Sequence, residues 1–290
     1  MPNEFPNSAS GANRYGPVPI YRIPGTADDL TISEGGVLSL KRRHRVLEQL
    51  ERVSSALEKN RSLESVDIFR QRALAMLASS QTRVAFDLER ESPRTRQRYG
   101  DTHFGKSLLT CRRLVESGVR FVQCQATYRL PREIGRTSNW DDHSVNSHIF
   151  NAYSEKLPSF DQSVSALIED LYDRGLDRRV MLVVTGEFGR TPKIEVNPGS
   201  RTKIKQPGRG HWPGAMSMLV SGGGMRTGQV IGATNEKGEH PISREMTPND
   251  VWASILLHLG IDQNRTFLDH SGRPQPILPF GAPIKEFLPA

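Results

Sequence analysis

Cysteine is scarce in this chain, with Cys111 and Cys124 the only two among 290 residues. A disulfide framework is therefore not what stabilises it. The pair reads as two buried thiols, Cys111 in a helical pattern and Cys124 in a strand pattern. Aromatics are also few, at 7%. They do not punctuate the basic stretches, so the stacking platform used to hold single-stranded nucleic acid is missing. No apolar run approaches the roughly 18–20 residues that cross a bilayer, and no membrane partner is expected. The opening Met1-Pro2-Asn3-Glu4-Phe5 has neither the basic nor the apolar stretch of a signal peptide. The triple glycine Gly222-Gly223-Gly224 lacks the Lys-Ser/Thr of a P-loop and the spacing of a dinucleotide fingerprint, and reads as a turn ending a strand.

What is present is a hydrophobic fraction of 36% and a charged fraction of 24%, which suit a globular chain with a core. The net charge is +7, carried by arginine far more than lysine. Arginine suits bidentate recognition of carboxylate, phosphate or sulfate. The basic residues are nonetheless interleaved with acids, as between Arg42 and Arg61, so a nucleic-acid partner is disfavoured and solvated helix faces explain much of the charge.

Three regions follow from the patterning. Residues 1–36 are rich in Pro, Gly, Asn and Ser and read as an irregular arm. Residues 37–92 turn helical, with Leu47, Leu50, Val53 and Leu57 and then Val66, Phe69, Ala73 and Leu77 at helical spacing, as a helical insertion or subdomain. Residues 93–290 read as an α/β core. Here a helix over 104–117 stops at Gly118 and feeds a strand over 120–125. A second helix, carrying Phe160, Val164, Leu167, Ile168 and Leu171, leads to a strand over 180–185. That strand is apolar on both faces, as in a central parallel sheet. Further strands are expected over 216–221 and 229–232, and a last helix is marked by Thr247 as N-cap, Pro248 in its first turn and Gly260 as its stop. The fold class is therefore α/β, a mostly parallel central sheet flanked by helices. No opening buried strand precedes residue 119.

Chemistry concentrates in loops. Asp141 and His143 are two residues apart, so an extended segment points both the same way, where they can share a metal. A loop aspartate capping the next helix explains the same spacing. Glu187 lies just past the 180–185 strand, as a metal ligand or as a partner of Arg190, which otherwise faces an anion. His211 stands between Gly210 and Trp212-Pro213 in a rigid loop and is a further ligand candidate. Imidazole with carboxylate suits zinc, manganese or iron, whereas carboxylates alone suit magnesium or calcium.

Trp140-Asp141-x-His143, Leu157-Pro158-x-x-Asp161, Gly186-Glu187-Phe188-Gly189-Arg190-Thr191-Pro192, His211-Trp212-Pro213 and Gly232-Ala233-Thr234 occur in this order. Together they resemble an uncharacterised bacterial family, a domain of unknown function related to sulfatases within the alkaline-phosphatase superfamily, over about Tyr15 to Leu288. The resemblance implies a metal-dependent hydrolase of sulfate or phosphate esters, acting on an anionic substrate such as a sulfated polysaccharide. It implies a divalent cation (zinc, manganese, calcium or magnesium) on Asp141, His143, Glu187 and His211, with Arg190 and Arg209 as anion-binding residues. Two departures stand out. Phe188 replaces a histidine of related sulfatases, and Gly210 stands where the family carries Asp before His-Trp-Pro. Relatives also begin with an export signal and a first strand bearing the nucleophile region. Without these the chain is expected to be the C-terminal part of a longer, periplasmic family protein and of doubtful activity, the alternative being a non-catalytic member that binds an anion or a partner.

Overall fold

The computed structural model describes residues 84–128, 139–269 and 271–289. The expected arm over 1–36 and almost all of the helical region over 37–92 lie outside them. The chain divides into two compact units. In the first, the described residues fall within 84–90 and 268–274; they include a 3-10 turn, Leu88–Arg90, and a tight loop in which Asp269 accepts from the backbone of Ser271 and Arg273.

The second unit, Glu91–Phe267 with Gln275–Ala290, carries the site. Its helical half is α1 (Pro93–Tyr99), α2 (His103–Glu116) and α3 (Ile149–Asp173). Ser92-Pro93 starts a helix rather than marking a break: the Ser92 hydroxyl accepts from the Thr95 N–H at 3.0 Å, and proline is tolerated in a first turn, where its missing N–H costs nothing. Thr102 caps α2 through the Gly105 N–H in the same way. Tyr99, Phe104, Leu108, Leu109, Val164, Leu167 and Leu171 form the buried apolar interior of this half.

α3 opens at Ile149, nine residues before the Pro158 of the Leu157-Pro158-x-x-Asp161 motif. Pro158 removes one internal hydrogen bond, a local loss that the buried face of a 25-residue helix outweighs. His148 accepts from the Asn151 N–H and caps the helix.

The sheet departs from expectation. The chain is mixed α/β, but the strands pair two by two, with no parallel central sheet among the described residues, and the four pairs that follow are antiparallel. β1 (Met181–Val184) pairs with β6 (Leu219–Gly222), Met181 opposite Gly222. β2 (Gly189–Arg190) pairs with β5 (His211–Trp212), β3 (Glu195–Pro198) with β4 (Lys205–Gly208), and β7 (Ala233–Thr234) with β8 (Pro241–Ser243).

The physical reason lies in the connection. Parallel neighbours need a crossover, usually a helix. Between β1 and β6 the chain spends its length on two short ribbons and no helix, so it returns antiparallel. β1 is accordingly half-exposed along its length rather than buried on both faces. The segment expected as a strand over 120–125 alternates in exposure over 121–125 but finds no strand partner among the described residues, and the strand does not form.

The β1–β6 pair lies on the last helix, α4 (Pro248–His258). Met181, Val220, Met225 and Ile255 pack around the buried Val251, Ile284 and Phe287. α4 opens with a reciprocal cap: Asp250 N donates to the Thr247 hydroxyl at 3.3 Å, and Thr247 N to the Asp250 carboxylate at 2.7 Å. It stops before Gly260, whose φ of 71° is a left-handed conformation that glycine reaches without strain.

Candidate metal centre

The loop over 139–148 is fixed from beneath by charge. Asp142 is 1% exposed and Lys156, on α3, is fully buried. Lys156 Nζ donates to both Asp142 oxygens at 2.9 Å and to the Asn139 carbonyl, and lies 5.6 Å from the centre of the Trp140 ring. Ser147 Oγ donates to Asp142 Oδ1 at 2.7 Å. Trp140 is locked in turn by an edge contact with Tyr128 and a hydrogen bond to the Ala126 carbonyl.

From above, the ribbons grip the same loop. Gln206 Nε2 donates to the Ser144 carbonyl and Asn197 Nδ2 to the Ser144 hydroxyl, each at 2.7 Å. Gly208 permits this approach, since a Cβ there would sit 1.9 Å from the Ser144 nitrogen. The β2–β5 pairing sets Arg190 opposite His211, uniting two motifs that stand about twenty residues apart in the chain.

Three of the four expected ligands meet here. One donor atom each from Asp141, His143 and His211 falls within 4.8 Å of the others. His143 Nδ1 lies 2.7 Å and His211 Nε2 3.1 Å from the same oxygen, Asp141 Oδ1. The His143 approach is close enough for an ion pair but lacks the alignment of a hydrogen bond. The two rings stand 4.4 Å apart, and Phe188 packs on His211 from the other side at 4.1 Å. Asp141 Oδ2 is separately held by the Asn146 amide at 2.9 Å.

The electrostatics favour an ionised Asp141. Burial opposes its charge, but the His211 hydrogen bond and the electrostatic interactions with His143, Arg190 and His211 outweigh burial and hold the carboxyl below its usual range. Arg190 Nη1 is 3.5 Å from Asp141 Oδ1. Its firmer bonds go to backbone carbonyls, those of Trp140 at 2.5 Å and Arg209 at 3.2 Å. Arg209 donates likewise to the Thr191 and Arg190 carbonyls. The two arginines thus lace the motifs together. Glu187 is exposed and is not part of the cluster. Both cysteines are free and half-buried.

Lys156 and Asp142 were not singled out by sequence reasoning. A signal existed: Ile149, Ala152 and Lys156 fall on one helical face, so a lysine occupies an apolar position and requires a buried anion. Asn146 carries no such signal.

A mixed α/β chain with a half-exposed Asp/His cluster at the edge of paired ribbons is the class that fold and site define. The chain belongs to the family described as "Protein of unknown function (DUF1501)", which matches residues 7–288. No curated protein and no solved structure matches it.

Proposed function

We propose that Asp141, His143 and His211 hold a divalent cation, and that the chain is a metal-dependent hydrolase homologue directed at sulfate or phosphate esters, including those of acidic polysaccharides. The observation that carries the reading is the convergence of two imidazole nitrogens on one carboxylate oxygen. Two imidazoles with one carboxylate form a donor set used by catalytic zinc sites, which leave a further position open. The donors also suit manganese or iron better than calcium.

The spacing supports the fit. Tetrahedral ligands about 2.0–2.1 Å from zinc stand roughly 3.3 Å apart. The two pairs through Asp141, at 2.7 and 3.1 Å, need only a slight opening, and all three donor atoms lie within 4.8 Å of one another. A bound cation would supply Lewis-acid polarisation of the ester. The chain's own part is to keep Asp141 ionised, to hold its second oxygen with Asn146 and to fix the loop through Lys156. The partial exposure of the cluster, with Asp141 37% and His211 48% exposed, leaves a side from which an ester can approach.

The carbonyl-bound arginines favour a second reading, a member that holds an anion on the cation without turnover. Metal analysis of the purified chain, paired with hydrolysis of p-nitrophenyl sulfate and phosphate, separates the two. Bound metal with hydrolysis that Asp141→Asn abolishes supports the hydrolase. Bound metal without hydrolysis supports the second reading, and metal-free protein at neutral pH overturns both.

A further inference from the structure

We propose that the β3–β4 hairpin is a peripheral membrane site that rests its outer face on an anionic phospholipid surface. The inference is independent of the metal site. Between Lys193 and Gly208 the chain carries four cations, Lys193, Arg201, Lys203 and Lys205, against the single acid Glu195. All four cations are exposed, and none forms an ion pair with a described residue. Like charges gathered on so short a ribbon repel one another unless an anion neutralises them.

The register separates the two faces. Asn197 and Gln206 stand opposite each other and both reach Ser144, so their face is the inner one. The next pairs, Val196 with Pro207 and Pro198 with Lys205, therefore turn outward. Val196 is 60% exposed, and Ile204 at the tip 69%. Val196 is thus left in water on the outward face and Ile204 in water at the tip, both beside unpaired cations. Aliphatic tips with basic neighbours match the boundary between headgroups and acyl chains.

The hairpin has no aromatic on which a base can stack, which disfavours a single-stranded nucleic acid. No helix among the described residues is long and apolar enough to cross a membrane, which has no bearing on a ribbon lying on the surface. The proposal runs against the expectation of no membrane partner, and the vesicle experiment decides between them.

Co-sedimentation of the full chain with vesicles of phosphatidylcholine and phosphatidylserine, against pure phosphatidylcholine, tests the proposal. Pelleting is expected with the acidic vesicles, weakening as salt is raised. The double variants Val196→Asp/Ile204→Asp and Arg201→Glu/Lys205→Glu should each lower partitioning about tenfold or more, with thermal midpoints unchanged. Hydrogen exchange on the unaltered chain needs no variant, and amides over 193–208 should gain protection when acidic vesicles are added. Equal pelleting with both vesicle types, or no added protection, overturns the proposal. So does loss of binding in the charge variant alone, since that would mark a general polyanion patch.

Discussion

Asp141 and Asp142 are neighbours in the chain and do opposite work. Asp142 is 1% exposed, and its carboxylate is saturated by Lys156 and Ser147. Asp141 is 37% exposed and offers one oxygen to three positive or protonatable groups at once, none of which satisfies it in good alignment except His211. The first arrangement is closed: every charge has its partner and nothing can enter. The second crowds His143, His211 and Arg190 around a single acceptor, an arrangement in which the two imidazoles and the carboxylate can share a cation. The comparison separates a structural charge from an available one, and it does so by geometry rather than by residue type.

If that distinction holds, the largest effect on stability should come from Lys156. Lys156→Met leaves Asp142 buried without its cation, and removing one partner of a buried pair costs about 3–5 kcal/mol. Chemical denaturation should show the drop. A loss under about 1 kcal/mol would mean that water reaches Asp142 and that the closed arrangement is not closed.

A second closed cluster extends the test. Arg112, 1% exposed, lies 2.9 Å from both Glu91 and Asp170, and Tyr99 donates to Asp170. Burial raises the Asp170 carboxyl, but the hydrogen bonds of Arg174 and Tyr99 and the charges of Arg112 and Arg174 outweigh it and leave the group below its usual range. Glu91, where burial is likewise outweighed by Arg112 and Arg113, is also lowered. A lowered folded pKa contributes stability that is complete above the unfolded values, about 3.9 for Asp and 4.3 for Glu. It is lost as pH falls through the lower folded values. Stability should therefore hold to roughly pH 5 and decline below about pH 4. Arg112→Met should cost about 3 kcal/mol at neutral pH and make the acid decline shallower. An unchanged acid limb would show that Arg112 does not hold these carboxyls down.

The open arrangement should respond in another currency. Asp141→Asn is expected to leave the denaturation midpoint almost unmoved while weakening metal binding by roughly 100-fold, or about 2.7 kcal/mol, in a calorimetric titration. A large fall in stability with unaltered metal affinity would reverse the roles assigned to the two aspartates.

How far the sequence revealed this differs from element to element. Thr247-Pro248 with Asp250 announced α4, because a capping box acts within one turn of chain. Asp141, His143 and His211 were legible as donors, and the structure brings them together. Their meeting depends on the β2–β5 register, which local spacing does not encode. Glu187 shows the converse, a donor well placed in sequence whose side chain the turn leaves in solvent. The apolar run over 180–185 suggested a central parallel strand because composition reports burial preference and not the partner. What set the pairing was the absence of a crossover helix before β6. Lys156 precedes the stretch over 160–171 whose spacing marked the helix, and a buried lysine is uncommon enough that composition does not point to it.

The smallest effects distinguish two glycines on either side of Arg209. At Gly208 a Cβ would strike the Ser144 backbone at 1.9 Å, and backbone cannot swing aside as a side chain does. Gly208→Ala should cost about 1–3 kcal/mol and loosen the loop that carries His143. At Gly210 the nearest atoms to a new Cβ are Thr191 Cγ2 at 3.5 Å and His143 Cδ2 at 4.0 Å, ordinary contacts. Gly210→Ala should therefore stay within about 0.5 kcal/mol of the parent. Because the open space faces the His143 ring, Gly210→Asp brings a second carboxylate toward the cluster and should tighten metal binding. Metal affinity unchanged in Gly210→Asp, with folding intact, would show that the slot points past the donors and that Asp141 is the cluster's sole anionic contributor.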